Sequence, residues 1–191
     1  MNGSVVGGAV APVYFIRCEV TQDEGEREAL LDRVMGPKRR LKSSETLRRE
    51  RLPAQGLAFA AVDATGGLVG SVRLWNVRAQ GGGAGMLLLG PLAVERTVAG
   101  RGVGTSLVRH ALLEAQRLGH GAVLLVGDPA YYQRFGFSAL LTGKLAMPGP
   151  YERDRLLALE LVPGWLKDAS GILQPCGRPI VAEDAAPSLV A

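Results

Sequence analysis

The residues best suited to chemistry in this chain are Gly100-Arg101-Gly102-Val103-Gly104-Thr105, whose types and spacing could seat a phosphate. The apolar run Leu89-Gly90-Pro91-Leu92-Ala93-Val94 precedes them and helical periodicity follows, so a strand hands over to a helix through a loop nearly without side chains. The first N–H groups of a helix lack intrahelical partners and lie at the positive end of its dipole, which favours an anion there. Glycine allows positive φ and close backbone approach. Arg101 adds charge where a pyrophosphate would sit. Two other phosphate loops do not fit. The P-loop's Lys-Ser/Thr pair is absent, and G-x-G-x-x-G counted from Gly102 meets Leu107 where its last glycine should stand.

A second block lies downstream. Residues 123–126 are a continuous apolar run, as in a strand buried on both faces, and Gly127-Asp128-Pro129-Ala130-Tyr131-Tyr132-Gln133-Arg134-Phe135-Gly136-Phe137 follows. Tyr132 stands four residues before the Gly136-Phe137 pair. Taken in order, L-A-V, then R-G-V-G-T, then this block resemble the GNAT superfamily of N-acetyltransferases. The second block is similar to a bacterial subgroup labelled YhbS-like. The resemblance covers residues 14–162.

That resemblance implies an α+β fold (α/β in the broad sense), with a mixed, mainly antiparallel central sheet flanked by helices. Its strands at 86–94 and 122–126 would run parallel and splay apart around acetyl-CoA. It implies acetyl-CoA as co-substrate, no metal, and direct acetyl transfer to a primary amine of a small molecule or peptide. The backbone of Leu92, Ala93 and Val94 would pair with pantetheine as an added strand does, and a nearby N–H would hold the thioester oxygen. Gly100, Arg101, Gly102, Val103, Gly104 and Thr105 would take the pyrophosphate. Tyr132 matches the family's general acid, a role typically worth ~10²–10⁴ in rate. Asp128 and Tyr131 fall on the cofactor side, although Asp before Pro is also an ordinary turn residue and Tyr131 an ordinary packing group. The acceptor groove would come from residues 36–55 and 144–155. Ala99 departs from the Gln or Arg often found before G-R-G, which puts one phosphate contact in doubt.

The general base is not legible. The strand at 86–94 contains no acid, and Glu95 just beyond reads as a solvated charge. His110 falls off the apolar face of its helix and His120 follows the helix stop, so both read as structural or exposed.

The elements that must position these groups are readable from pattern. Strands are expected at 13–19, 57–62, 68–77, 86–94, 122–126 and 156–161. Helices are expected after Asp23, with Ala29, Leu30, Leu31 and Val34 inward and Gly36-Pro37 as the stop; around Leu47, capped at residue 43 or 44; and over 102–118. The last should bury Val108, Ala111, Leu112, Ala115 and Leu118, with Gly119 closing it. Proline at 91 removes a ladder donor, so the strand should bulge there. The expected organisation is a flexible tail over 1–12, the acetyltransferase domain over 13–165 and an irregular tail over 166–191.

Composition bounds the alternatives. A chain of 191 residues, 47% hydrophobic and 21% charged, suits one globular domain. No apolar run approaches the ~20 residues that cross a bilayer, and the first 13 residues lack the basic start of a signal peptide. Two distant cysteines, Cys18 and Cys176, suggest reduced thiols and a cytoplasmic setting, with a disulfide still open. Neither falls in a cofactor motif, which disfavours an acyl-cysteine route. Lys38, Arg39, Arg40, Lys42, Arg48, Arg49 and Arg51 crowd one segment of a chain carrying +4. Without aromatic interleaving or a nucleic-acid motif this reads as a solvated face, so nucleic acid is a minority reading and an acidic acceptor only a weak hint. The remaining alternative is an acyl-CoA-binding sensor without catalysis. Oligomeric state stays open, a homodimer included.

Overall fold

The computed structural model describes residues 14–181; the expected tail at 1–12 and the chain after 181 lie outside them. The strands are β1 (Tyr14–Cys18), β2 (Ala58–Asp63), β3 (Leu68–Ala79), β4 (Met86–Val94), β5 (Ala122–Val126), β6 (Leu145–Ala146), β7 (Leu156–Glu160) and β8 (Gly171–Pro175). The helices are α1 (Glu24–Met35), α2 (Ser43–Thr46), α3 (Val103–Arg117) and α4 (Pro129–Tyr132), with several single 3₁₀ turns between them. The sheet runs β1-β2-β3-β4-β5-β7, with β8 on the far end of β3 and β6 beside β8. All its pairs are antiparallel except β4–β5 and β6–β8.

Period-two alternation sorts the strand residues between the two faces of this sheet. Phe59, Ala61, Val72, Leu74, Leu87, Leu89, Val123 and Leu125 face α3, where Val103, Leu107, Val108, Ala111 and Ala115 complete one core. Their neighbours in sequence point the other way. Trp75, Val77, Met86, Leu88 and Leu124 meet Leu47 and Met147 there, while Ala60, Val62 and Ala93 meet Leu30 and Leu31 of α1. Burying each Leu fully is worth about 1.5–3 kcal/mol. Gly70 lets α3 come close, since a Cβ there would lie 2.9 Å from Leu107 and 3.1 Å from Val103.

Three expectations are corrected. Ala29 faces solvent, and Arg27 lies buried on α1 because Glu19, Glu24 and Glu28 all contact its guanidinium. Leu118 is exposed at the end of α3, past the last turn that meets the sheet. The segment after 165, expected to be irregular, carries β8. β3 outruns β2, and its free end at Val77–Ala79 is paired by Leu173–Pro175. Leu173, Ala169 and Leu166 are buried with it.

Candidate active site

β4 is where the site is built. Arg73 of β3 faces both Gly90 and Pro91, because Val72 pairs with Leu92 while Leu74 pairs with Leu89. This is the bulge that Pro91 demands. Trp75 fixes it from the apolar side, its Nε1–H donating to the Gly90 carbonyl at 2.5 Å. On its other edge β4 pairs with β5 only at Leu87↔Val123 and Leu88↔Leu124. Past Leu88 the two parallel strands therefore part, and the β5-facing edge of Leu92, Ala93 and Val94 has no strand partner among the described residues. Ala93's side chain is buried against α1, leaving only its backbone for any ligand.

α3 starts at the end of this gap. Gly102 caps it at φ +85°, and Gly100 adopts φ +77°, both in the left-handed region that favours glycine. No side chain caps the helix. Its first internal bond is Ser106 N–H to the Gly102 carbonyl at 2.9 Å, so the N–H groups of Val103, Gly104 and Thr105 have no partner within the helix. Arg101 is exposed beside them. A Cβ on Gly104 would lie 3.2 Å from Tyr131 Oη and 3.4 Å from Val94 Cγ2, so Gly104 stands at the mouth between β4 and α4. Three free N–H donors, the helix dipole and the Arg101 charge converge there with room for a ligand backbone, which suits a pyrophosphate followed by an extended amide chain.

α4 brings the tyrosines. Asp128 accepts from Ala130 N–H at 3.0 Å and caps α4; it is exposed and its carboxylate serves the turn. Tyr132 lies across Gly127, where a Cβ would come within 2.3 Å of the ring. Phe135, Phe137 and Tyr131 surround it. Burial, with a lesser push from Tyr131, raises the Tyr132 phenol to about 12. Its hydroxyl has no hydrogen-bond partner among the described residues, yet no fully buried side-chain polar atom there lacks one. The hydroxyl is thus open to the cavity that Tyr132 lines with Leu88, Leu89, Gly90 and Leu92.

Residues expected from pattern to be solvated close the other wall. Arg39 is buried; burial opposes its charge, but Asp32 at 2.8 Å and Glu28 at 2.5 Å hold it above the ordinary arginine value. Arg48 has a side chain only 9% exposed, pairs with Glu45 at 2.8 Å, and lines the cavity with Lys42 and Ser44. Burial pulls its guanidinium below the ordinary value despite Glu45. The solvated-face expectation for 38–51 therefore fails at Arg39 and Arg48, whose partners on α1 and α2 make burial tolerable. Lys42, Ser44 and Val126 also line an adjoining cleft with Tyr151 and Arg155, so the two segments expected to form a groove do meet. No carboxylate or histidine lines the inner cavity. Glu95 is engaged by Arg33 at 2.8 Å, which holds it below its usual range. His110 packs edge-on against Phe59, 4.7 Å between ring centroids, on the α3 side.

A parallel pair that parts at a bulge, with a glycine-led helix N-terminus at the gap, defines an acetyltransferase fold of the GNAT class. The family model for the acetyltransferase (GNAT) domain matches residues 54–139. The chain is 30% identical over 159 residues to YhbS of Escherichia coli K12, described as an uncharacterized N-acetyltransferase, covering 83% of this chain and 94% of that one. It belongs to the GNAT N-acetyltransferases. The crystal structure of E. coli YhbS in complex with CoA superposes with a TM-score of 0.75 at 28% identity, over 88% of this chain and 93% of that one. A GNAT acetyltransferase from Brucella melitensis in complex with acetyl-CoA shares the fold, with a TM-score of 0.61 at 24% identity over 86% and 96%.

Proposed function

We propose that the chain transfers the acetyl group of acetyl-CoA directly to a primary amine. The observation that carries this is the parted β4–β5 pair opening onto the uncapped N-terminus of α3. The α3 N–H groups and Arg101 hold the pyrophosphate, and the free edge of Leu92–Val94 pairs with pantetheine, which lays the thioester beside the bulge. The related complexes with CoA and acetyl-CoA support this placement.

The neutral amine attacks the thioester carbon, forming C–N and breaking C–S, and its proton leaves to water. A backbone N–H of the bulged strand stabilises the oxyanion, and the Tyr132 hydroxyl donates to the departing sulfur. With no base lining the cavity, the amine must arrive neutral or lose its proton through water. Cys18 and Cys176 are both free thiols, which suits a reducing, cytoplasmic setting. No helix among the described residues is long and apolar enough to cross a membrane.

The test is thiol release from acetyl-CoA with a panel of primary amines, product confirmed by mass. Amine-dependent release that collapses in Tyr132→Phe supports the proposal. Tight acetyl-CoA binding with no turnover across the panel would instead favour a sensor module.

A further inference from the structure

Arg48 is an unusual residue to find beside a thioester. A buried guanidinium costs several kcal/mol unless its donors are matched, and the other buried arginines are well served: Arg27 by three carboxylates, Arg39 by two. Arg48 has only Glu45, and only through Nη2, with Ser44 Oγ a distant second at 3.5 Å. Its Nη1 and Nε have no hydrogen-bond partner among the described residues. Since no fully buried side-chain nitrogen there goes unpaired, Nη1 is open to the cavity that Arg48 lines. It also faces the reacting end, because Nη1 lies 3.9 Å from where a Cβ on Gly90 would stand.

A second cation joins it. Lys42 is exposed on the same wall and has no ion-pair partner among the described residues, while no carboxylate lines the inner cavity. The cavity, of about 110 Å³, continues past Lys42, Ser44 and Val126 into the adjoining cleft, so a slender chain can reach the bulge from there. The two N–H groups of Nη1, carried on a permanently charged guanidinium, suit a carboxylate or phosphate oxygen.

We infer that the acceptor is a small primary amine carrying an anionic group a few carbons from its nitrogen, with Arg48 and Lys42 holding the anion. This rests on the acetyltransferase reading and adds the substrate class. The anion replaces the missing partners of Arg48 and aims the nitrogen at the bulge. Neutral amines of equal length leave Nη1 unpaired and bind less well.

The experiment compares matched pairs: β-alanine with n-propylamine, and O-phosphoethanolamine with ethanolamine. The ratio of kcat/KM within each pair is read by thiol release, with acetyl-CoA affinity measured separately by calorimetry. The expected ratio favours the anionic member by about 10- to 100-fold, as for a hydrogen bond to a charged group. It should fall about tenfold or more in Arg48→Met, recover in part in Arg48→Lys, and fall less in Lys42→Gln, an exposed position that leaves folding intact. The carboxylate and phosphate pairs show which anion is preferred. Anionic members that are no better than neutral ones, both inert included, overturn the inference, as does an Arg48→Met effect equal on both members. Loss of acetyl-CoA binding by the wild type would instead sink the acetyltransferase reading itself.

Discussion

Tyr132→Phe should lower kcat by about 10- to 150-fold while leaving acetyl-CoA affinity and folding nearly unchanged. The size follows from the environment of the phenol. Burial raises it to about 12, well above an ordinary thiol near ~8.5, so the phenol keeps its proton rather than handing it over completely to the departing sulfur. Tyr132 therefore acts as a hydrogen-bond donor to developing thiolate charge. Such a bond to a charged acceptor is worth about 1.5–3 kcal/mol, which converts to the stated range and to the low end of general-acid catalysis. The hydroxyl has no protein partner to lose and the ring stays seated over Gly127, so stability should move by less than about 1 kcal/mol. The assay is steady-state thiol release on an amine identified by the panel, with calorimetric acetyl-CoA affinity and thermal melting alongside. Tyr131→Phe is the control; its hydroxyl borders Gly104, and it should alter cofactor affinity more than kcat. A Tyr132→Phe enzyme turning over within twofold of wild type refutes the reasoning. So does a loss borne by acetyl-CoA affinity with kcat intact. A kcat that falls between pH 8 and 10 through this phenol would contradict its raised value.

Gly104→Ala should weaken acetyl-CoA binding about tenfold by calorimetry, because its methyl enters the mouth between Val94 and Tyr131. Its melting temperature should change little, as the helix gain of up to ~1 kcal/mol offsets the tight contact. Leu173→Ala should cost about 2–5 kcal/mol, or about 4–20 °C in melting temperature, because Leu173 is 1% exposed in β8; a shift within 1 °C would return this segment to the status of a tail. Asp23 is held below its ordinary 3.8 by the Arg17 guanidinium and the Val20 N–H, against burial. Its stabilisation is complete above that ordinary value and is lost as pH falls through the lowered one. Asp23→Asn should therefore be less stable than wild type at pH 7, with the gap closing below about pH 4 in melting curves.

Much of this was legible in the chain because it is local. The bounds of β4 coincide with an apolar run that begins after Gly85 and stops at Glu95, Pro91 marks the bulge, and Gly102 and Gly104 mark the start of α3. The cationic wall was not legible, because whether Arg39 and Arg48 are buried depends on Glu28 and Asp32 of α1 and on Glu45. The i,i+3 spacing of Glu45 and Arg48 was the available signal, and it is shared by exposed helices. β8 escaped because Gly-Ile-Leu-Gln-Pro shows no alternation; it is a strand only because β3 extends beyond β2 and offers it an edge. Trp75 gave no sign of its hydrogen bond to Gly90, since that contact spans two strands across the bulge.

The most direct test of where the cofactor sits is calorimetric titration of acetyl-CoA into the wild type and Arg101→Glu, an exposed position where the charge reversal leaves the core untouched. Binding on the order of micromolar by the wild type, weakened tenfold or more in the variant and softened by salt, is the predicted result. Equal affinity in both proteins, or no binding at low salt, would contradict a pyrophosphate seat at the head of α3.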